Sequence, residues 1–283
     1  MPLNKTCVGK QYPPITTDVT VEAVQKYARA YNDDNPAFFD ASRAGGIVAP
    51  PMFGSTVIWQ SVLAAVGDPE VKADLLRLVH GEQDMEFLGV IRPGDRITST
   101  SKIVSIETKS SGETMLIELH AQNQHCKPVQ TTLFGAFIRT GGSRSANGDK
   151  AVEDPERGEP LVTVAQTIDK DQTYRYAEAS GDNNPIHTYE AVAKMAGLRG
   201  IIVHGLCTMA FTSKVVIDKL CAGDPTRLGR LRVRFSRPVL PGQTITTKVW
   251  ADGERNGRKV FTYETFNSEG QAVIRAGIAE VAG

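Results

Sequence analysis

The sequence predicts an α+β protein made of two copies of one unit, each an antiparallel sheet curled around a long helix. Three observations predict it. The first is an internal repeat: "YARAYNDDNP" (27–36) and "YAEASGDNNP" (176–185) agree at six of ten positions. Further along, "GGIVAPPMFG" (45–54) answers "RGIIVHGLCT" (199–208), and "IRPGDRITST" (91–100) answers "VLPGQTITTK" (239–248). The second is an apolar helical run in each half, in the later one broader than a surface helix needs. The third is the two-residue alternation that follows each run.

Taken in order, the first half offers a short helix ending in the D-x-N-P loop, then a helix over "PMFGSTVIWQSVLAAV" (51–66). Strands follow near 83–90, 95–108, 113–123 and 129–139. The polar stretch "GGSRSANGDKAVEDPERGEP" (141–160) has no periodicity and reads as a linker between domains 1–140 and 161–283. In the second half "DKDQTYRYAEAS" (169–180) predicts a short helix. The proline after Asn184 disfavours helical geometry there, so that residue takes an extended or turn conformation. In "LCTMAFTSKVVIDKL" (206–220), Leu206, Met209, Ala210, Phe211, Val216, Ile217 and Leu220 make a stripe wide enough to be wrapped on several sides. "RLRVRFSRP" (230–238) then sets Leu231, Val233 and Phe235 against Arg230, Arg232 and Arg234. "TITTKVWAD", "RKVFTYETF" and "AVIRAGIAEVA" complete an antiparallel sheet whose apolar face the long helix covers.

Bulk composition narrows the function. The chain has 283 residues, enough for two domains, with 41% apolar and 23% charged residues. Lys plus Arg is 32 and Asp plus Glu is 32, which argues against generic binding to nucleic acid or acidic membranes. Cys7, Cys126, Cys207 and Cys221 have no C-x-x-C spacing and read as buried, reduced thiols of a cytoplasmic protein. The start has no secretory or transit pattern, no apolar run reaches membrane-spanning length, and "AEVAG" is not a Ser-Lys-Leu address.

The stretch "GDNNPIH" (181–187) carries the chemistry. Asp182 supplies a carboxylate and His187 an imidazole, a pair able to hold one water and move its proton. Asn184 would orient that water or brace the pair, and Pro185 stiffens the loop. Downstream, "IIVHG" runs into the long helix, whose first N–H groups lack partners and sit at the positive dipole end. Gly205 leaves its N–H open to an oxygen gaining negative charge. Together these parts could add water across an α,β-unsaturated carbonyl without metal or organic cofactor. Taken singly, Asp182 would be a turn residue and His187 a structural histidine. Their combination with Asn184, Pro185 and Gly205 favours catalysis.

The string "SGDNNPIH…GIIVHGLCT" resembles the signature of the MaoC-like, R-specific 2-enoyl-CoA hydratases and dehydratases, including the hydratase part of peroxisomal multifunctional enzymes. "RVRFSRPVLPGQTITTKVW" (232–250) is similar to the strand-turn-strand that follows in that family. The resemblance covers the second half nearly end to end; the first half resembles the degenerate N-terminal repeat of two-repeat members. It implies a double hot-dog fold and reversible hydration of trans-2-enoyl-CoA to (3R)-3-hydroxyacyl-CoA. Asp182 and His187 would be the catalytic dyad, Asn184 its support and Gly205 the oxyanion-hole amide. In the first half Phe38 stands for His187 and Pro50-Pro51 for His204-Gly205, so one active site is expected, with that half shaping the acyl cavity. Two departures, Glu178 and Tyr189, bear on substrate class more than on reaction type.

His204, Arg234 and Arg237 are candidates for substrate contact, the arginines for the phosphates of coenzyme A, which enters only as part of the substrate. A structural role against the dyad loop ranks first for His204, and a solvated sheet face is the plain reading of any one arginine. His120, His125 and Cys126 are not expected to bind metal, since strand alternation separates the last two. Partners other than an acyl-CoA substrate are not expected, neither nucleic acid nor membrane; a homodimer is allowed but not required. Two other functions fit the same elements: an acyl-CoA thioesterase and a non-catalytic acyl-CoA-binding protein.

Overall fold

The repeat is plainest in the order of the strands. The computed structural model describes residues 2–75, 77–139 and 157–283; most of the expected linker, 141–156, lies outside them. The first repeat runs β1 (Gln11–Asp18), α1 (Val21–Ala30), α2 (Gly54–Val66), β2 (Leu78–Phe87), β3 (Arg96–Lys109), β4 (Gly112–Gln122) and β5 (Pro128–Arg139). The second runs β6 (Val162–Thr167), α3 (Gln172–Ser180), α4 (Glu190–Met195), α5 (Gly205–Leu220), β7 (Leu228–Phe235), β8 (Thr244–Arg255), β9 (Arg258–Phe266) and β10 (Ala272–Ala282). Their sheet order is β1-β3-β4-β5-β2-β7-β10-β9-β8-β6, so either edge gives the same succession of equivalent strands.

The two expected sheets are therefore five-stranded halves of one antiparallel sheet, joined where Glu82 to Glu86 of β2 pair with Arg234 to Arg230 of β7. Each of those strands would otherwise be an open edge of its half, and pairing satisfies both rows of backbone groups. The alternation of β7 sorts the two faces of the seam. Leu231 and Val233 are fully buried toward the helices. Arg230 faces outward, donating to Asp84 at 2.8 and 2.7 Å and to Glu280 at 3.0 Å.

Helix α5 is wrapped as its stripe predicts: eleven of its sixteen residues are buried. Helix α2 fills the same place in the first repeat, preceded by a separate one-turn helix over Pro51–Phe53 where the sequence predicts one continuous helix. Two short edge strands, β1 and β6, and the short α4 went unpredicted. Cys7, Cys207 and Cys221 are buried as expected, but Cys126 is exposed. It sits with His125 in a turn, where the Asn123 side chain accepts from the backbone N–H groups of His125 and Lys127. The separation of His125 from Cys126 thus comes from a turn and not from strand alternation. Among the described residues no helix is long and apolar enough to cross a membrane.

Side chains at equivalent positions hold the repeats together. Tyr27 and Tyr176, 149 residues apart, share a hydrogen bond between their hydroxyls at 3.0 Å. The first-repeat loop has become a clasp: Lys214 of α5 lies 3.3 Å from the Asp33 carboxylate, and the Asn35 amide donates to the Gly223 carbonyl at 2.8 Å. Burial pushes the Asp33 carboxyl up while Lys214 pulls it back. Replacing Lys214 with Met leaves that carboxylate, only 1% exposed, without its cation. Because Lys214 itself is partly exposed, the expected loss is about 1–3 kcal/mol in urea unfolding. A D33N change in the same chain should restore most of it; failure to do so would remove the clasp as the cause.

Candidate active site

The D-x-N-P loop is first a backbone device. Gly181 ends α3 at φ +76, the left-handed region in which glycine is favoured. The Asp182 carboxylate then accepts from the Asn184 N–H at 3.2 Å, and the Asn184 side chain accepts from the Ile186 N–H at 3.3 Å, capping the one-turn helix that carries His187. The first repeat does the same with Asp33 and Asn35, at 3.0 and 2.9 Å. Asn184 has φ −58 and ψ 120, Asn35 φ −56 and ψ 123. The structural role of the motif therefore survives in both halves, and the histidine is what differs. Phe38 in the place of His187 is fully buried.

In the second repeat the two junctions meet. One side-chain oxygen or nitrogen from each of Asp182, His187 and His204 lies within 4.8 Å of the other two, a gap that one water bridges with two ordinary hydrogen bonds. The Ile202 carbonyl can only accept, so His187 Nδ1, 2.7 Å away, carries the hydrogen and leaves Nε2 as a base. By the same logic His204 Nε2 donates to the Asp182 backbone carbonyl at 3.0 Å, and its ring stacks on His187 with centroids 3.7 Å apart. His204 thus clamps the loop, and its Nδ1 is buried without a hydrogen-bond partner among the described residues. Stacked rings keep their in-plane lone pairs in separate planes, a poor fit to one metal ion at the usual 2 Å or so.

Burial dominates the electrostatics. It pushes the Asp182 carboxyl up, opposed by His187 and by the Asn184 N–H. It pushes the His187 imidazole down, opposed by Asp182 and the Ile202 carbonyl. His204 is driven well down, by burial first and by His187 beside it. Burial thus disfavours charge on both groups, and each partly offsets that effect for the other.

Gly205, the residue after His204, begins α5. A β-carbon there would stand 3.2 Å from the Phe235 ring, so glycine keeps the helix start open against β7. Phe235 belongs to an aromatic wall that sequence reasoning missed. His80 of β2 lies 4.8 Å from it and stacks on Phe134 of β5 at 4.1 Å, and Trp59 of α2 reaches from Phe134 toward Gly181. Trp59, His80 and Phe134 come from the first repeat across the β2–β7 seam. No local spacing signals that approach.

The arginines fall elsewhere. Because Phe235 faces Gly205, alternation puts Arg234 on the outer face of the sheet, where it is exposed; the structure does not bring it to the dyad. Arg237 lies exposed just past the end of β7. Glu178 pairs with Lys26 of α1 at 2.7 Å, and Tyr189 is 66% exposed, so His187 takes its tautomer from Ile202 and from neither of these.

Comparison with known proteins agrees with both repeats. Residues 152–272 match the family described as MaoC like domain, and residues 6–132 match the FAS1-like, dehydratase domain region. The chain is 30% identical over 246 residues to a protein of Arabidopsis thaliana named "Enoyl-CoA hydratase 2, peroxisomal", covering 82% of this chain and 77% of that one. It is 28% identical over 283 residues to "Probable enoyl-CoA hydratase 2" of Dictyostelium discoideum, covering 97% and 95%. Among solved structures, a MaoC-like dehydratase from Phytophthora capsici superposes with a TM-score of 0.82 at 24% identity, covering 100% and 98%.

Proposed function

We infer the chemistry from kinship and geometry together: the chain belongs to the MaoC-like, R-specific 2-enoyl-CoA hydratase and dehydratase family, a double hot-dog, and acts as a hydro-lyase on enoyl-CoA thioesters. The observation that carries this reading is the cluster of Asp182, His187 and His204, one side-chain oxygen or nitrogen of each within 4.8 Å of the others, with His204 immediately before the start of α5.

In the proposed reaction a water donates to the Asp182 carboxylate and to His187 Nε2. Its oxygen bonds to the β-carbon of the enoyl group as an O–H bond breaks, and that proton passes to the pair. The carbon–carbon π electrons move toward the thioester, whose oxygen gains negative charge and accepts from the Gly205 N–H. The pair then returns a proton to the α-carbon, so its own proton count is unchanged and the steps run equally in reverse. Asn184 braces the loop and His204 clamps it. The acyl chain rests against Trp59, His80, Phe134 and Phe235, which gives the first repeat its share of the site. Arg237 is the better placed of the two arginines for the phosphates of coenzyme A, as Arg234 faces outward.

A spectrophotometric assay tests the reading. Mixed with a 2-enoyl-CoA, the protein should remove the conjugated-thioester absorbance and yield one 3-hydroxyacyl enantiomer, the R form, on chiral separation. Release of free coenzyme A to a thiol reagent would instead support a thioesterase, and tight binding without turnover a carrier. No metal or organic cofactor is required in this scheme. With both repeats in one chain, the seam needs no second copy. The unpaired thiols suit a reducing compartment such as the cytoplasm.

The pH profile has a defined sign. His187 is held below its ordinary 6.5 and must be neutral to act as base; Asp182 is held above its ordinary 3.8 and must be ionised. Hydration should therefore fall as acid protonates the pair, the imidazole limb lying below its ordinary 6.5 and the carboxyl limb above its ordinary 3.8. A kcat/KM that rises as acid protonates the pair would contradict the assignment.

A further inference from the structure

His80 breaks the alternation of its strand. In β2, Glu82, Asp84 and Glu86 face outward, each within ion-pair reach of an arginine, while Gln83 and Met85 are sealed inside at 1% and 0% exposure. A strict two-residue period would set His80 with the carboxylates. Instead the register against β5 shifts between His80 and Glu82, and His80 stands opposite the buried Ala136. A bulge re-aims a side chain in this way. The imidazole is turned to the inner face, where it stacks on Phe134 with centroids 4.1 Å apart.

Its hydrogen-bonding state there is fixed. Nε2 lies 3.0 Å from the Glu82 carbonyl and 3.1 Å from Gln83 Oε1; a carbonyl can only accept, so Nε2 carries the hydrogen. Burial pushes the imidazole down to about 4, which leaves it neutral near pH 7 with a lone pair on Nδ1. That nitrogen has no hydrogen-bond partner among the described residues and, unlike His204 Nδ1, is open to the space around it. His80 is accordingly only half-buried, although it stands on the inner face.

The space is the one that the dyad faces. Trp59, Phe134, His80 and Phe235 run in unbroken ring contact from Gly181, next to Asp182, to Gly205 at the start of α5. Asp182, Gly205 and Phe235 are half-buried as His80 is. A plain alkyl chain laid along these rings would cover Nδ1 and take away its water without supplying a donor.

We propose that His80 determines specificity: its Nδ1 accepts a hydrogen bond from a hydroxyl on the acyl chain, so that hydroxylated 2-enoyl thioesters are preferred to plain alkyl ones. The proposal rests on the hydration reading and names the class of acyl group within it.

Matched 2-enoyl-CoAs of one chain length test it, carrying no substituent, one hydroxyl or one methoxy group at successive carbons beyond the double bond. At the carbon that meets Nδ1 the hydroxyl should raise kcat/KM roughly tenfold over the alkyl chain, and the methoxy group, which cannot donate, should not. His80→Phe keeps a ring against Phe134 and removes the acceptor, so the hydroxyl-to-alkyl ratio should fall to about one. A merely structural role would lower both substrates alike and leave the ratio. Calorimetric binding of the corresponding saturated acyl-CoAs needs no turnover and is read separately. If no thioester is hydrated, the reaction is wrong and the binding ratios alone decide the role of His80. A hydroxyl that gains nothing at any carbon, a methoxy group that gains as much, or a ratio that H80F leaves intact would each overturn that role. Should H80F not fold, the comparison of hydroxyl, methoxy and alkyl chains decides alone.

Discussion

Substituting Asp182 with Asn should slow enoyl-CoA hydration by roughly 10²–10⁴ while the protein stays folded. The fold is expected to survive because the Asn side-chain oxygen can still accept from the Asn184 N–H, the bond that shapes the loop. Stability at neutral pH should hold or rise. A carboxyl whose folded pKa is raised by burial is less favourable ionised inside than out, so stability declines as pH rises from its unfolded value through its folded one. The Asp182→Asn change removes that penalty, which a melting-temperature comparison at pH 7 would detect. His187→Asn, which keeps a donor for the Ile202 carbonyl, should cost about as much activity. Because the two groups share one water, the double variant should be little slower than the worse single one. Multiplied losses, or an unchanged rate in either single variant, would break the assignment of one shared water.

What could be read from the sequence was local, and what could not was brought in across the seam. The D-x-N-P loop shapes itself through hydrogen bonds between residues two apart, so its conformation at Asn184 and its two junctions were predictable. The wide stripe of 206–220 and the alternation of 230–235 are each periodicities within one element, and both gave the correct element. β1 was hidden because Pro13 and Pro14 interrupt its pattern, something an edge strand tolerates: it pairs with β3 on one side only, and the register breaks between Tyr12 and Ile15. Trp59, His80 and Phe134 join the site because β2 meets β7, a pairing no local signal encodes. Arg234 differs from these, because the alternation that places it is visible in the sequence. So is the face that meets the helix, because Leu231, Val233 and Phe235 share it; the helix start does lie against Phe235, and the neighbouring arginine faces away.

The second large effect concerns a single hydrogen. Gly205→Pro should reduce turnover by roughly 10²–10³, the usual cost of removing one oxyanion donor, and the backbone should accept it. His204 has φ −56 and ψ 136, within the region required before proline, and proline is favoured at the first helical position, where no intrahelical bond is lost. The first repeat already contains this solution: Pro50 has φ −52 and ψ 139, and Pro51 follows it. A new β-carbon would press on the Phe235 ring at 3.2 Å, so crowding must be separated from the missing donor. Gly205→Ala does that, since it brings the same contact and keeps the N–H. If the amide holds the developing negative charge, the alanine variant should retain most of its kcat and the proline variant should not. Equal losses in the two would assign the effect to the Phe235 contact and leave the charge at the thioester oxygen to some other donor.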